Sequence, residues 1–215
     1  MLIDASSLPR QPQRILPGVV HLPGFLAPAQ QADLVEQARE IARAVAGTPV
    51  AMRRPKVGKG HMQAYLMSLG WFWATNPYRL VREVEGCPVP PVPANYQAIA
   101  DDVLAAARGV DELVGDAVTV ETALVNYYPP GPGMGMHVDA EEEADNAVVS
   151  LSIGDEIVFR IEGEDLLLMS GDALVFGGPA RRARHGVLGA RGGTGSEGTG
   201  LTEGRINITM RQVHA

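Results

Sequence analysis

From about residue 118 to its end, the chain consists of short runs rich in β-branched residues, and this feature limits the fold more than any other. Turns such as Gly154-Asp155 and Gly171-Asp172 separate the runs. Many short strands without helices between them indicate a closed or two-sheet β core. We therefore predict a jelly-roll-like domain for 118–215. Its strands are expected at 118–128, 147–153, 156–161, 165–169, 173–176, 183–188 and 205–213.

The preceding part of the chain has helical periodicity. Apolar residues recur every three or four positions after Pro28, a residue suited to a first helical turn, and Gly47 follows the pattern. A second helix is predicted from about Asn95 to Arg108. We interpret 1–17 as an extended arm and 18–117 as a helical support, which gives an α+β protein with helices packed against the β core.

Several classes of protein are disfavoured by what the sequence lacks. No apolar run approaches the roughly 20 residues that a membrane-spanning helix needs. The first residues do not have the basic start and apolar stretch of a secretory signal. The single cysteine, Cys87, has no partner for an internal disulfide, which is typical of a reducing compartment. We expect a cytoplasmic protein.

The distribution of charge is less decisive than its sum. A net charge of −7 argues by itself against a general nucleic-acid binder. Basic residues nevertheless form two groups, and an acidic protein can present a local basic groove to phosphates. One group contains Arg53, Arg54, Lys56 and Lys59, and the other contains Arg181, Arg182, Arg184 and Arg191.

Three residues are candidate metal ligands. His137 and Asp139 are two positions apart, so on an extended backbone their side chains point to the same side. This pair alone could equally be a surface histidine near a turn. His185 lies in a strand-like segment 46 positions later and supplies a second imidazole. Two histidines and one carboxylate on one face of iron leave three positions open, as non-haem Fe(II) oxygenases require.

The C-terminal strand carries the most informative pattern. Alternation places Ile206, Ile208 and Met210 on one face. Its other face is polar and carries Arg205, Asn207, Thr209 and Arg211. An edge strand with a solvated polar face is the simpler interpretation, but average residue frequencies give this four-residue pattern in only about one chain in a thousand.

Two arginines at the ends of one strand suit a short dicarboxylate. Arginine grips carboxylates in a bidentate fashion, and 2-oxoglutarate has one carboxylate at each end. Arg205 and Arg211 are roughly 20 Å apart along the backbone, so their long side chains can converge on such a dianion from opposite sides. Asn126 and Tyr128, two apart on an earlier strand, are expected to supply further hydrogen bonds.

Taken together, these motifs resemble the AlkB family of nucleic-acid dealkylating dioxygenases. The resemblance covers 118–213, where order and spacing match, and the Arg205-x-Asn207-x-Thr209-x-Arg211 strand is its most specific element. Upstream, Leu69-Gly70-Trp71 followed by Tyr78 is similar to the family's nucleotide-recognition segment, which predicts a lid within 18–117.

The resemblance implies a cofactor and a reaction. His137, Asp139 and His185 would hold Fe(II), with 2-oxoglutarate and O2 as co-substrates. The 2-oxoglutarate would be held by Asn126, Tyr128, Arg205, Asn207 and Arg211. The implied reaction hydroxylates a methyl group on a base nitrogen, as in 1-methyladenine or 3-methylcytosine, and releases formaldehyde and succinate.

The same resemblance suggests how the substrate is held. Trp71 and Tyr78 would stack on the extruded base, Glu141 would lie near its Watson–Crick edge, and the basic loop at 53–60 would contact phosphates. The implied partner is alkylated DNA or RNA, single-stranded, acted on by a monomer without an obligate protein partner. The hairpin at 160–168 is shorter than in the family member compared most directly, which leaves the range of substrates open.

The sequence leaves two other functions open. One is a 2-oxoglutarate oxygenase acting on a protein or small molecule with the same iron site, which a lid without stacking aromatics would favour. The other is a cupin-like binding module without catalysis, which would give the paired arginines no role.

Overall fold

The computed structural model describes residues 10–58, 60–75, 77–131, 133–195 and 197–215. Within them the chain forms two α-helices, α1 (Pro28–Ala44) and α2 (Asn95–Arg108), and seventeen strands. In chain order the strands are β1 (Gln13–Leu16), β2 (Val19–Leu22), β3 (Lys56–Val57), β4 (Gly60–His61), β5 (Tyr65–Leu69), β6 (Phe72–Thr75), β7 (Tyr78–Val81), β8 (Glu83–Val84), β9 (Cys87–Pro88), β10 (Thr122–Tyr128), β11 (Met134–His137), β12 (Val148–Gly154), β13 (Glu156–Ile161), β14 (Glu164–Leu168), β15 (Ala173–Phe176), β16 (His185–Arg191) and β17 (Arg205–Arg211).

Two antiparallel sheets face each other and form a jelly-roll core. The larger sheet has seven strands in the order β1-β2-β15-β12-β17-β10-β5, and the smaller has the order β11-β16-β13-β14. An apolar layer between the sheets joins Phe159 and Ile161 of the smaller sheet to Leu174 and Phe176 of the larger. The fold class expected from the sequence, a jelly roll with helices packed against it, is confirmed.

The two helices cover the outer face of the larger sheet. Leu34 of α1 and Val103 of α2 belong to the same buried cluster as Ile208 and Met210 of β17. The start of α1 agrees with its sequence signals, because Pro28 occupies the first turn and the side chain of Gln30 accepts a hydrogen bond from the backbone N–H of Ala27 at 2.9 Å. Neither helix is long and apolar enough to cross a membrane.

The position of β17 is what builds the site. It lies between β12 and β10 in the middle of the larger sheet, and all seven of its residues are buried. The interpretation as an edge strand with a solvated face is therefore excluded. Because side chains alternate along a strand, the apolar residues face the helices and the four polar ones are enclosed between the two sheets.

The structure differs from the sequence analysis before residue 118. Seven short strands occupy 56–88, a part of the predicted helical support and nucleotide-recognition lid (18–117) for which the sequence indicated no strands, and β5 pairs with β10 at one end of the larger sheet. Part of the expected arm also forms a strand, because β1 pairs with β2 at the opposite end of the sheet. The rest of that arm, 1–9, lies outside the described residues. Short strands of two to five residues have too few positions for an alternating pattern to stand out.

Asp172, in the turn between β14 and β15, links the N-terminal segment to the core. It accepts hydrogen bonds from Arg10 (2.7 Å to each carboxylate oxygen), and its carboxylate lies 2.8 Å from Nε2 of His21. Two backbone N–H groups, from Gly24 and Met169, donate to it as well. Burial by itself would raise the pKa of Asp172, but these partners outweigh it and lower the pKa to about 2.

We predict that Asp172→Asn lowers the free energy of unfolding by about 2 kcal/mol at pH 7, since a carboxyl group with a depressed pKa stabilises the fold while it is ionised. This stabilisation is complete above the ordinary Asp pKa of about 3.9 and is lost as the pH falls towards 2. Urea denaturation of both proteins should therefore show a gap that narrows below about pH 4. Asp165→Asn, at an exposed ion pair with Arg160, should change little. A gap that stays constant down to pH 2.5 would contradict the assignment.

Candidate active site

The three predicted metal ligands meet between the sheets. His137 ends β11 and His185 begins β16, and the two residues are direct partners in the register of these strands. Asp139 follows two positions after His137, and one potential ligand atom from each residue lies within 4.8 Å of the others. The Nε2 atoms of His137 and His185 lie 3.7 and 3.8 Å from the carboxylate oxygens of Asp139. The sequence prediction that distant segments bring these side chains together is correct.

Backbone carbonyls orient both imidazoles. Nδ1 of His137 lies 2.9 Å from the carbonyl oxygen of Gly135, and Nδ1 of His185 lies 3.0 Å from that of Ala183. A proton on Nδ1 leaves the Nε2 lone pair directed to the shared centre, as a metal requires. Burial lowers the pKa of His185, which favours the neutral, ligating form.

Asp139 is held as an anion. It is 6% exposed, and Nη2 of Arg211 lies 2.7 Å from its Oδ2 as an ion pair. Burial would raise the pKa of Asp139, but the charge of Arg211 outweighs burial and keeps the pKa below its ordinary value. Two neutral imidazoles and one carboxylate are the ligand set that suits non-haem Fe(II).

The predicted co-substrate residues line the same cavity, which has a volume of about 470 Å³. The register places Asn126 of β10 beside Asn207 of β17, and Tyr128 beside Arg205. The polar face of β17 and the two β10 side chains thus form one wall, with the metal ligands at the end near Arg211. This wall contains Asn126, Tyr128, Arg205, Asn207, Thr209 and Arg211.

Two serines that the sequence analysis did not identify support this wall. Nε of Arg205 donates to Oγ of Ser152 at 2.8 Å, and Nδ2 of Asn207 donates to Oγ of Ser150 at 2.7 Å. Both lie on β12, next to β17. Their signal was present in Val-Val-Ser-Leu-Ser-Ile, where serines alternate with apolar residues, but a single strand does not reveal which neighbour its polar face meets.

The wall has the donors that a dicarboxylate needs. Arg205 is 1% exposed, and its Nη1 has no hydrogen-bond partner among the described residues; the same holds for Nε of Arg211 and Oδ1 of Asn126. Buried polar groups without partners are costly, so their presence indicates a ligand that completes them. Burial lowers the pKa of Arg205 to about 10, which still leaves it cationic at neutral pH. These residues fit 2-oxoglutarate beside a metal.

The predicted substrate contacts are divided between two places. Tyr78 and Glu141 line the cavity, but Trp71 does not. The indole ring of Trp71 lies under the guanidinium of Arg82 at 4.2 Å and contacts His214 at 5.1 Å between ring centroids. The choice of Trp71 as the stacking residue is therefore corrected: the tryptophan that lines the cavity is Trp73.

The backbone at Gly70 explains why Trp73, and not Trp71, lines the cavity. Gly70 has a φ of +74°, and a Cβ there would collide with the carbonyl oxygen of Glu121. The chain bends at Gly70 and Trp71, so alternation along β6 starts afresh at Phe72, which is buried. Trp73 takes the opposite face and stacks on Tyr78, with 5.8 Å between ring centroids and 21° between planes.

The basic group at 53–60 is largely used to hold the protein together. The guanidinium of Arg53 lies 4.0 Å from the Phe72 ring centroid, and its Nη2 donates to the carbonyl oxygen of Trp73 at 2.9 Å. Arg54 donates to the carbonyl oxygen of Met62 at 2.8 Å. Lys56 is exposed, and Lys59 lies outside the described residues. Contact of this loop with phosphates stays a prediction. Among the described basic residues of the loop, Lys56 is the one that we expect to make this contact.

Comparisons with known proteins agree with this geometry. A family model described as the 2OG-Fe(II) oxygenase superfamily matches residues 18–211. An alpha-ketoglutarate-dependent dioxygenase AlkB homolog of Caulobacter vibrioides is 36% identical over 216 residues, which cover 94% of this chain and 90% of that protein.

Two further proteins resemble the chain over most of its length. The DNA N(6)-methyladenine demethylase ALKBH1C of Arabidopsis thaliana is 29% identical over 92% of the chain, which spans 49% of that longer relative. The solved structure of OsALKBH1 superposes with a TM-score of 0.83 at 26% identity, covering 94% of this chain and 100% of that one.

We predict that Arg205→Met separates stability from co-substrate binding. A buried guanidinium with one unpartnered nitrogen costs free energy in the ligand-free protein, so Tm without ligand should stay equal or rise. Binding of 2-oxoglutarate at saturating Mn(II), measured by calorimetry, should weaken at least about 30-fold because a carboxylate loses its charged partner. Arg191→Met, at an exposed arginine of β16, is the matched control and should bind normally. Undiminished binding by Arg205→Met would remove Arg205 from the site.

Proposed function

Because this chain belongs to the AlkB family within the 2OG-Fe(II) oxygenase superfamily, we propose that it removes methyl groups oxidatively from base nitrogens in nucleic acid. The observation that carries the proposal is the cavity itself. One end of it holds His137, Asp139 and His185 beside Arg211, and Arg205 lies further along the same wall. The lining also includes the stacked aromatic pair Trp73 and Tyr78. A planar substrate group can therefore lie against the pair while it faces the metal ligands.

Iron, 2-oxoglutarate and O2 supply the oxidising chemistry when bound, and the protein groups position the reactants. Arg211 lies against Asp139, so it is placed for the carboxylate next to the keto group, and Arg205 is placed for the distal carboxylate. Hydroxylation of an N-methyl group gives an N-hydroxymethyl group. When that group breaks down, the C–N bond breaks, its electron pair stays on the base nitrogen and the hydroxyl group leaves as formaldehyde. The hydroxyl proton is released to solvent from a cationic 1-methyladenine or 3-methylcytosine adduct, or passes to the nitrogen of an N6-methyladenine adduct, and either way the unmodified base is restored.

Base recognition is assigned to the aromatic pair and one acid. Trp73 is half-buried and Tyr78 is half-exposed, so a flipped base can stack on this surface at the mouth of the cavity. Glu141 lines the same cavity. Its carboxylate suits a cationic base such as 1-methyladenine or 3-methylcytosine, and it can equally accept a hydrogen bond from an exocyclic N–H.

The finer features of the substrate belong to the proposal as well. An unpaired base is the least costly to extrude, which favours single-stranded DNA or RNA. Exposed Lys56 and Arg79, which precede and follow the lid aromatics in the chain, are the basic residues that we assign to phosphates. We further propose that the enzyme acts in the cytoplasm as a monomer.

A lesion panel tests the function. The protein is incubated with Fe(II), ascorbate and 2-oxoglutarate and with oligonucleotides of DNA or RNA that carry 1-methyladenine, 3-methylcytosine or N6-methyladenine. We expect the loss of one CH2 mass from at least one oligonucleotide, with formaldehyde released in equal amount, and no loss with Asp139→Ala, which lacks an iron ligand. Succinate formation without methyl loss anywhere in the panel would instead favour a protein or small-molecule substrate.

We predict that Trp73→Ala lowers kcat/KM on a methylated oligonucleotide about 10- to 100-fold, because stacking of a base on an aromatic ring is worth about 1–3 kcal/mol. Trp71→Ala removes the same side chain from outside the cavity and should keep kcat/KM within about threefold, provided that both variants are assayed below their Tm. Binding of 2-oxoglutarate should be unchanged in both. A larger loss of kcat/KM in Trp71→Ala than in Trp73→Ala would reverse the assignment.

A further inference from the structure

A row of four buried charges, alternating in sign, begins at the ligand Asp139. Arg211 joins Asp139 to Glu142, with Nη2 at 2.7 Å from Asp139 and Nη1 at 2.9 Å from Oε1 of Glu142. The other carboxylate oxygen of Glu142 lies 3.2 Å from Nη2 of Arg181. Glu142 is 4% exposed and Arg181 is 3% exposed. The carboxylate of Glu142 reaches the carboxylate of Asp139 only by way of Arg211, so the role of Glu142 is indirect.

The outer half of this row joins the segments that carry the ligands. Nη1 of Arg181 lies 3.4 Å from the carbonyl oxygen of Asp139, and Nε donates to that of Asn146 at 2.8 Å. Arg181 is also four positions before His185 in the chain. The backbone N–H groups of Glu143 and Ala144 donate to the carbonyl oxygen of Val213, just beyond β17. Glu142 and Arg181 thus lie where the Asp139 segment, the His185 segment and the end of β17 meet.

The contacts of Arg211 with two carboxylates indicate how Glu142 can control the orientation of the guanidinium. A guanidinium offers five N–H groups in a fixed plane. Asp139 and Glu142 each take one side of Arg211, and its Nε has no partner among the described residues. Without the Glu142 carboxylate, Arg211 would be free to turn a second N–H group to Asp139, since bidentate pairing of arginine with a carboxylate is favoured. That turn would take donors away from the co-substrate.

We propose that Glu142, held by Arg181, is a positioning residue for 2-oxoglutarate: it fixes the plane of the Arg211 guanidinium so that the remaining N–H groups are kept for the co-substrate carboxylate nearest the metal. This role concerns the co-substrate only. It is independent of which substrate is oxidised, so it does not depend on the nucleic-acid proposal.

The first test compares two neighbouring substitutions of the same kind. Glu142→Gln keeps the size of the side chain and removes its charge, and Glu143→Gln makes the same change at an exposed position. Calorimetry with 2-oxoglutarate at saturating Mn(II), without nucleic acid, should give a Kd at least about tenfold higher for Glu142→Gln, because a charge-assisted hydrogen bond that fixes Arg211 is weakened. Glu143→Gln should match the wild type. Equal Kd values for all three proteins would overturn the proposal.

A double-mutant cycle separates positioning from a general loss of structure. If Glu142 acts through Arg211, then Glu142→Gln should change the Kd less than about twofold when Arg211 is already replaced in Arg211→Lys, because coupled residues are not additive. A tenfold effect that persists in the Arg211→Lys background would show that Glu142 acts by another route, and would reject the proposal.

A third variant covers the case in which Glu142→Gln does not fold. Arg181→Lys keeps the charge and alters the geometry behind Glu142, and it should raise the Kd for 2-oxoglutarate severalfold; an unchanged Kd in a folded Arg181→Lys protein would again reject the proposal. If no oligonucleotide of the lesion panel loses its methyl group but the cycle shows coupling between Glu142 and Arg211, only the nucleic-acid function is rejected. If a methyl group is lost but the two residues are not coupled, only the positioning role is rejected.

Discussion

The structure depends on one strand whose polar face is enclosed between two sheets. In β17, Ile208 and Met210 pack under the helices, while Arg205 and Arg211 lie on the opposite face inside the protein. Burial of two guanidinium groups is unfavourable unless partners compensate it. The partners are arranged by position: Ser152 lies beside Arg205 from the neighbouring strand, and Asp139 lies beside Arg211 from the ligand segment. The need to satisfy β17 therefore determines where the metal ligands and the co-substrate wall must lie.

The two ends of β17 resolve this need differently. At Arg211 the protein itself supplies two carboxylates, which balance the charge of the guanidinium and hold it in place, while its Nε stays without a partner among the described residues. At Arg205 the protein supplies one hydroxyl and the face of Tyr128, with 5.3 Å from the guanidinium carbon to the ring centroid, which leaves a cation that a ligand must complete. A ligand at Arg211 therefore adds hydrogen bonds to a cation that is already paired, whereas a ligand at Arg205 also supplies the missing negative charge.

Whether a feature of the site could be predicted from the sequence depends on whether it arises from neighbours along one strand or from contacts between distant segments. His137, Asp139 and the alternating residues of β17 could be recognised because their spacing along one strand already fixes their relative direction. That Trp73 and not Trp71 lines the cavity could not be recognised, since it depends on a bend at Gly70, where a carbonyl group 51 positions away, at Glu121, leaves no room for a Cβ. Ser150 and Ser152 were equally hidden, because their importance arises only from the strand beside them.

Charge patterns were the weakest guide, and the structure shows why. Arg181 and Arg182, which suggested a basic groove, donate instead to backbone carbonyls and acids of the Asp139 segment. Arg53 and Arg54 likewise donate hydrogen bonds to backbone carbonyl oxygens, those of Trp73 and Met62. With a net charge of −7, long-range attraction of a phosphate backbone to the chain as a whole is weak. For the function proposed above, stacking at Trp73 and Tyr78 would then contribute most to recognition, and stacking needs a base that is already exposed or easily unpaired.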